Sequence, residues 1–136
     1  MHNPTNHIKI IKSIGLDFGV IELRNDNIIT FEPKEGITTL TLLMLQESLD
    51  IFIELSDGIP RLYFSNNNNL KSLGTEEKIF IKNNIHRFAK ACATTENSAI
   101  TRFITYTFMQ LFKPSIPLKM FKTKEEAYEW LRTFNK

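Results

Sequence analysis

Of the side chains that could carry chemistry, histidine comes first, and the three in this chain are poorly placed for it. His2 and His7 sit in a polar start, "MHNPTNHIKIIKS", and His86 stands alone beside Arg87. Zinc and iron sites need several Cys, His or carboxylate ligands at short, regular spacing, and no such set accompanies these histidines. His86 reads instead as an exposed histidine near a helix end. The single cysteine, Cys92, lies in "AKACATT" among small and apolar residues with no neighbouring base, so it reads as a reduced, buried thiol in a cytoplasmic protein. No Gly-x-Ser-x-Gly elbow marks a nucleophilic serine, and five scattered glycines build neither a dinucleotide nor a P-loop cradle. Glu125 and Glu126 are adjacent carboxylates, but neighbours on a helix diverge, and in a first turn both simply favour the helix's positive end. No catalytic residue, metal or cofactor is assigned, and the expectation is a protein that is not an enzyme.

What remains is binding. Arg102 lies near the start of a helix, where a cation works against the dipole and so calls for a specific partner: a carboxylate or carbonyl elsewhere in the fold, or a ligand anion. Phe103, Tyr106, Phe108 and Phe112 surround the same helix, more aromatic residues than one covered face requires. A second helix, in "LTLLMLQESLDIFIEL", carries charge only at Glu47, Asp50 and Glu54, a narrow polar stripe on an otherwise apolar cylinder that includes Leu45 and Leu49. Arg102, Phe103, Tyr106, Phe108, Leu45 and Leu49 are thus the candidate ligand or interface residues. The apolar surplus must be buried in the protein core, against a second subunit in a homodimer, or against a bound apolar molecule.

The elements that must position these residues follow from periodicity. "IKIIKSIG" reads as an edge strand, and "GVIELR" with "IITFEP" as a hairpin turning at Asn25, Asp26 and Asn27. Thr38 or Thr39 is expected to cap the first helix, with "SDG" at Ser56 to Gly58 as its stop. "PRLYFS" is the next strand, Thr75 the expected cap of a helix with Glu76 and Glu77 in its first turn, and "RFAKACAT" a further strand. Ile100, Phe103, Ile104, Phe108 and Leu111 share helical spacing up to Pro114. "IPLKMF" is the last strand, after which Thr123 and Glu126 predict a capping box for a helix whose Ala127, Trp130, Leu131 and Phe134 form one face. A hairpin followed by alternating helices and strands predicts an α/β fold with a mixed sheet whose later strands run parallel through right-handed crossovers.

The 136 residues suit one domain, residues 1–136, with residues 1–7 a polar tail. Apolar residues at 42% and charged residues at 24% are the globular balance, and a net charge of +2 with interspersed signs gives no footprint for nucleic acid. The start lacks the apolar stretch of a signal peptide and no run approaches a membrane span, so the expected location is cytoplasmic with no integral membrane association.

The block "ITRFITYTFMQLFKPSIPLKMFKTKEEAYEWL" resembles the C-terminal signature of small bacterial SpoIIAA-like proteins, related to STAS and SEC14 domains, through Arg102, Lys113, Pro114, Pro117, Phe121, Glu125, Glu126, Ala127, Trp130 and Leu131. The resemblance covers most of the chain in element order and its last quarter in motif. It implies a STAS-like α/β fold and little about activity, since many members of that group have no assigned function. The apolar surplus favours a regulatory or interaction module that meets itself or another regulatory protein. The kinship with SEC14 suggests the alternative, a carrier of a small apolar, lipid-like ligand whose acidic head group Arg102 or Lys113 could take. The phosphorylatable Asp-Ser-Gly of STAS-type antagonists is missing from "SNNNNLKSLGTEE", which speaks against a phosphoswitch; Ser72 and Thr75 are the nearest hydroxyls, and Thr75 reads as a cap.

Overall fold

The computed structural model describes residues 7–135; of the expected tail at residues 1–7, residues 1–6 with His2 lie outside the described residues, and the His7 carbonyl accepts from Asn25 Nδ2 at 2.8 Å. The described residues form one six-stranded sheet in simple sequential order. β1 (Ile10–Leu16), β2 (Gly19–Arg24) and β3 (Ile28–Pro33) are antiparallel neighbours, and β4 (Arg61–Asn66), β5 (Ala89–Thr95) and β6 (Leu118–Phe121) then add in parallel, as the alternating pattern predicts. The β2–β3 turn rests on Asn27 at φ 70, a left-handed conformation that Asn tolerates. Gly19, the first residue of β2, has no room for a side chain, since a Cβ there would lie 2.6 Å from the Glu32 carbonyl oxygen.

Alternation along each strand divides the core into two layers. Ile29 and Phe31 of β3, Tyr63 of β4 and Cys92 of β5 face α1 (Leu42–Ser56) and α2 (Thr75–Asn84). Ile28, Leu62, Phe64, Ala91 and Ala93 face the other way, toward Ala127 and Leu131 of α4 (Lys124–Arg132). The small Ala91 and Ala93 let α4 approach the sheet, and Phe64 fills the space beside them against Tyr128. The turn at the hairpin holds α4 in place: Arg24 pairs with Asp26 at 2.7 Å, Arg132 reaches the same carboxylate at 3.2 Å, and Arg24 lies 3.9 Å from the Tyr128 ring centroid.

Two helix caps and one capping box differ from expectation. α1 is capped by Thr41, whose hydroxyl accepts from the Met44 N–H, and not by Thr38 or Thr39. Those two are engaged elsewhere, since the Thr38 carbonyl accepts from Lys71 N–H and the Thr39 hydroxyl donates to the Ser72 carbonyl. α2 is capped by Gly74, with Thr75 as its first helical residue. Thr123 caps α4 as expected, but Glu126 closes no capping box: its carboxylate takes the Thr123 hydroxyl proton instead of the Thr123 N–H. The stop at Asp57 and Gly58 holds, with both residues left-handed. The polar stripe of Glu47, Asp50 and Glu54 is exposed, and His86 is exposed in the 3-10 turn Ile85–Arg87.

Candidate functional site

Three helices cover one face of the parallel strands: α1, α2 and α3 (Ala99–Phe112), the last capped by Ser98. They do not close on each other completely. A cavity of about 120 Å³ lies between them and the sheet, partly open to the outside. Its walls are apolar, with Leu45 and Leu49 from α1, Phe80 and Ile81 from α2, and Ile104 and Phe108 from α3. An engineered apolar cavity of roughly 150 Å³ holds benzene, so this one suits a single ring or a short acyl chain rather than a whole lipid.

The floor of the cavity is graded. Tyr63 and Ser65 of β4, then Asn67 just past its end, line the cavity, as do Cys92 and Thr94 of β5; Glu96, just past the end of β5, stands behind this lining, bonded to Thr94 and Thr105. Register sets Tyr63 beside Cys92 and Ser65 beside Thr94. The ladder then extends past the strand ends, with Asn67 N–H donating to the Thr95 carbonyl and Glu96 N–H to the Phe121 carbonyl. The floor therefore runs from aromatic at the strand starts to polar at their carboxyl ends, the end of a parallel sheet where open α/β folds hold ligands.

Glu96 is the charge at that polar end, 1% exposed. Thr94 and Thr105, both lining the cavity, donate their hydroxyl protons to its Oε2, Thr105 at 2.8 Å. Its Oε1 is buried and makes no hydrogen bond among the described residues. Burial pushes the Glu96 carboxyl above the usual range, opposed by hydrogen bonds from Thr94 and Thr105, by the nearby Asn67 amide and by the charge of Arg102. Burial likewise raises the Cys92 thiol, with the Glu96 charge adding to it, and raises the Tyr63 hydroxyl, so neither is a ready nucleophile or base.

A raised carboxyl has a defined stability signature. The unfolded chain ionises first, near about pH 4.3, while the folded Glu96 is still protonated. Unfolding then releases a proton, and stability falls as pH rises from there through the folded pKa. Glu96→Gln should remove this component, so the denaturation midpoint of the variant, measured from about pH 4 to about pH 8, should gain on the native chain as pH rises. Parallel pH profiles would show that Glu96 ionises normally.

The candidate residues read from the sequence divide. Leu45, Leu49 and Phe108 line the cavity. Arg102, Phe103 and Tyr106 are exposed on α3 and do not line it, although Arg102 is near enough for its charge to favour ionised Glu96. Lys113, the left-handed C-cap of α3, is also exposed and outside the lining. With Ile100 and Leu111, Phe103 and Tyr106 make an exposed apolar stripe on the outer side of α3. Sequence reasoning missed Asn67, Thr94, Glu96 and Thr105. The signal was the period-two placement of Tyr63, Ser65 and Asn67 and of Cys92, Thr94 and Glu96 on one sheet face.

A family described as "Domain of unknown function (DUF7793)" matches residues 21–135. No curated protein matches the chain. Among solved structures, an uncharacterized protein from the DUF3478 family with a SpoIIAA-like fold, from Shewanella loihica PV-4, is similar at a TM-score of 0.57. The likeness covers 91% of this chain and 93% of that one at 14% identity, and it is a likeness of fold.

Proposed function

This chain belongs to the DUF7793 family and has a SpoIIAA-like α/β fold, and from that premise we propose that it is a non-enzymatic, STAS-like regulatory module in which a ligand cavity and an interaction face share helix α3. The observation that carries this reading is the two-sidedness of α3. Ile104, Thr105 and Phe108 form one wall of an apolar cavity, while Phe103, 67% exposed, and Leu111, 76% exposed, face outward from the same helix. A small apolar molecule entering the cavity would press on the inner residues of α3, and a rigid helix passes such a displacement to its outer face.

Two occupants follow, one for each face. The cavity takes a small, mostly apolar molecule, and the outer stripe takes a second copy of the chain, giving a homodimer, or the surface of another regulatory protein. A cytoplasmic site of action fits the single thiol, which is free and buried.

Native mass spectrometry of the untagged protein, purified from its own host, tests both faces in one spectrum. The expected result is a dimer whose subunits each carry extra mass that disappears on denaturation. A bare monomer at micromolar concentration would overturn the reading. A bare dimer would keep the interaction face and discard the ligand, and a loaded monomer would do the reverse.

A further inference from the structure

The polar end of the cavity has a donor and acceptor balance of its own. A hydroxyl has one proton to give and lone pairs to receive with. Thr94 and Thr105 both give theirs to Glu96 Oε2, and Ser65 gives its proton to Asn67 Oδ1 at 2.7 Å. All three hydroxyls line the cavity, and none has a proton left for a ligand. Of the amides nearby, Asn84 Nδ2 gives one of its two protons to the Phe80 carbonyl, and the Asn67 amide lies close enough to Glu96 to favour its ionised form. Behind this layer stand a carboxyl group and its unpaired, buried Oε1. Ionised Glu96 holds the threonine hydroxyls in one orientation, so this hydroxyl layer presents lone pairs with a negative charge behind it, while the donors left in the lining, the Tyr63 hydroxyl and one Asn84 amide proton, lie outside that layer.

Resting on the ligand reading above, we propose that the cavity selects molecules with a hydrogen-bond-donating head, an amine on a small apolar body, and that Glu96 is the positioning residue that makes its floor accept rather than donate. An acid head would meet lone pairs and a buried carboxylate. An ammonium head would meet acceptors on its protons and a charge that offsets its loss of water. Ligand selection then comes from the interior of the sheet and not from Arg102 or Lys113 on the surface.

The test is a set of single-ring probes of one size, toluene, benzylamine and benzoate, titrated into the full chain at mildly alkaline pH and followed by backbone amide NMR shifts. Toluene reports the cavity alone. Toluene and benzylamine should move the same cavity residues, with benzylamine binding at least about tenfold tighter than benzoate. Benzoate binding as tightly as benzylamine, with toluene also bound, would overturn the donor inference and leave the cavity reading standing. Failure of all three, toluene included, would remove the cavity reading and this inference with it. Thr105→Val deletes one acceptor while keeping shape, and should reduce the advantage of benzylamine over toluene by about threefold or more. An undiminished advantage in that variant, with toluene bound, would show that the hydroxyl layer does not select the head group.

Discussion

Phe64→Ala is expected to lower the unfolding free energy by about 4 kcal/mol, the largest loss from any single truncation in this chain. Phe64 is 0% exposed on β4, on the sheet face that α4 covers, with its ring edge-on to Tyr128 at 5.1 Å between centroids. The neighbours that could collapse into the void are poorly able to do so. Ala91, Ala93 and Ala127 are too small to reach, and Tyr128 is held from its other side by Arg24, itself bound to Asp26. A cavity that cannot relax costs both the lost transfer energy and the lost contacts. Against a total stability of about 5–15 kcal/mol, such a loss should lower the melting temperature by about 10–15 °C, measured by circular dichroism or calorimetry. A loss below about 1 kcal/mol would mean that α4 does not seal this face.

The back layer was legible in the sequence because it is built from local signals. Thr123, the acidic first turn and the spacing of Ala127 and Leu131 describe α4 without any knowledge of what it packs on. The mixed sheet with its parallel later strands was legible for a similar reason, since a hairpin followed by alternating helices and strands leaves few arrangements. Where expectation failed, a distant contact had intervened. Thr38 and Thr39 are as good at capping as Thr41, but the segment at Lys71 and Ser72 binds both, and nothing nearby in the sequence announces it. The polar end of the cavity was hidden by register. "YFSN" and "CATTE" are unremarkable alone, and only parallel pairing of Ser65 with Thr94 brings their polar members together beneath α3. The acceptor layer is completed by Thr105, which helical spacing alone does not distinguish from the other threonines of α3.

The two phenylalanines of α3 should separate the core from the interface, because they differ in what a charge there would meet. Phe108 is 6% exposed, stacked on Phe112 with centroids 5.7 Å apart, and forms part of the cavity wall. Phe108→Glu places a carboxylate where no described cation is in reach to pair with it, and should cost about 4 kcal/mol or more, seen as a lost or much weakened thermal transition. Phe103→Glu puts the same charge on the outer stripe, where water receives it, so the stability of the monomer should change by less than about 0.5 kcal/mol. If the stripe is the contact between copies, that same substitution buries a repelling pair across a two-fold axis and should weaken the dimer by at least about tenfold in sedimentation equilibrium. A dimer that survives Phe103→Glu at full strength would move the interface off α3, and would break the link between cavity and partner that the two faces of this helix supply. Unfolding by Phe103→Glu, with Phe108→Glu tolerated, would reverse the assignment of inner and outer faces and with it the location of the cavity wall.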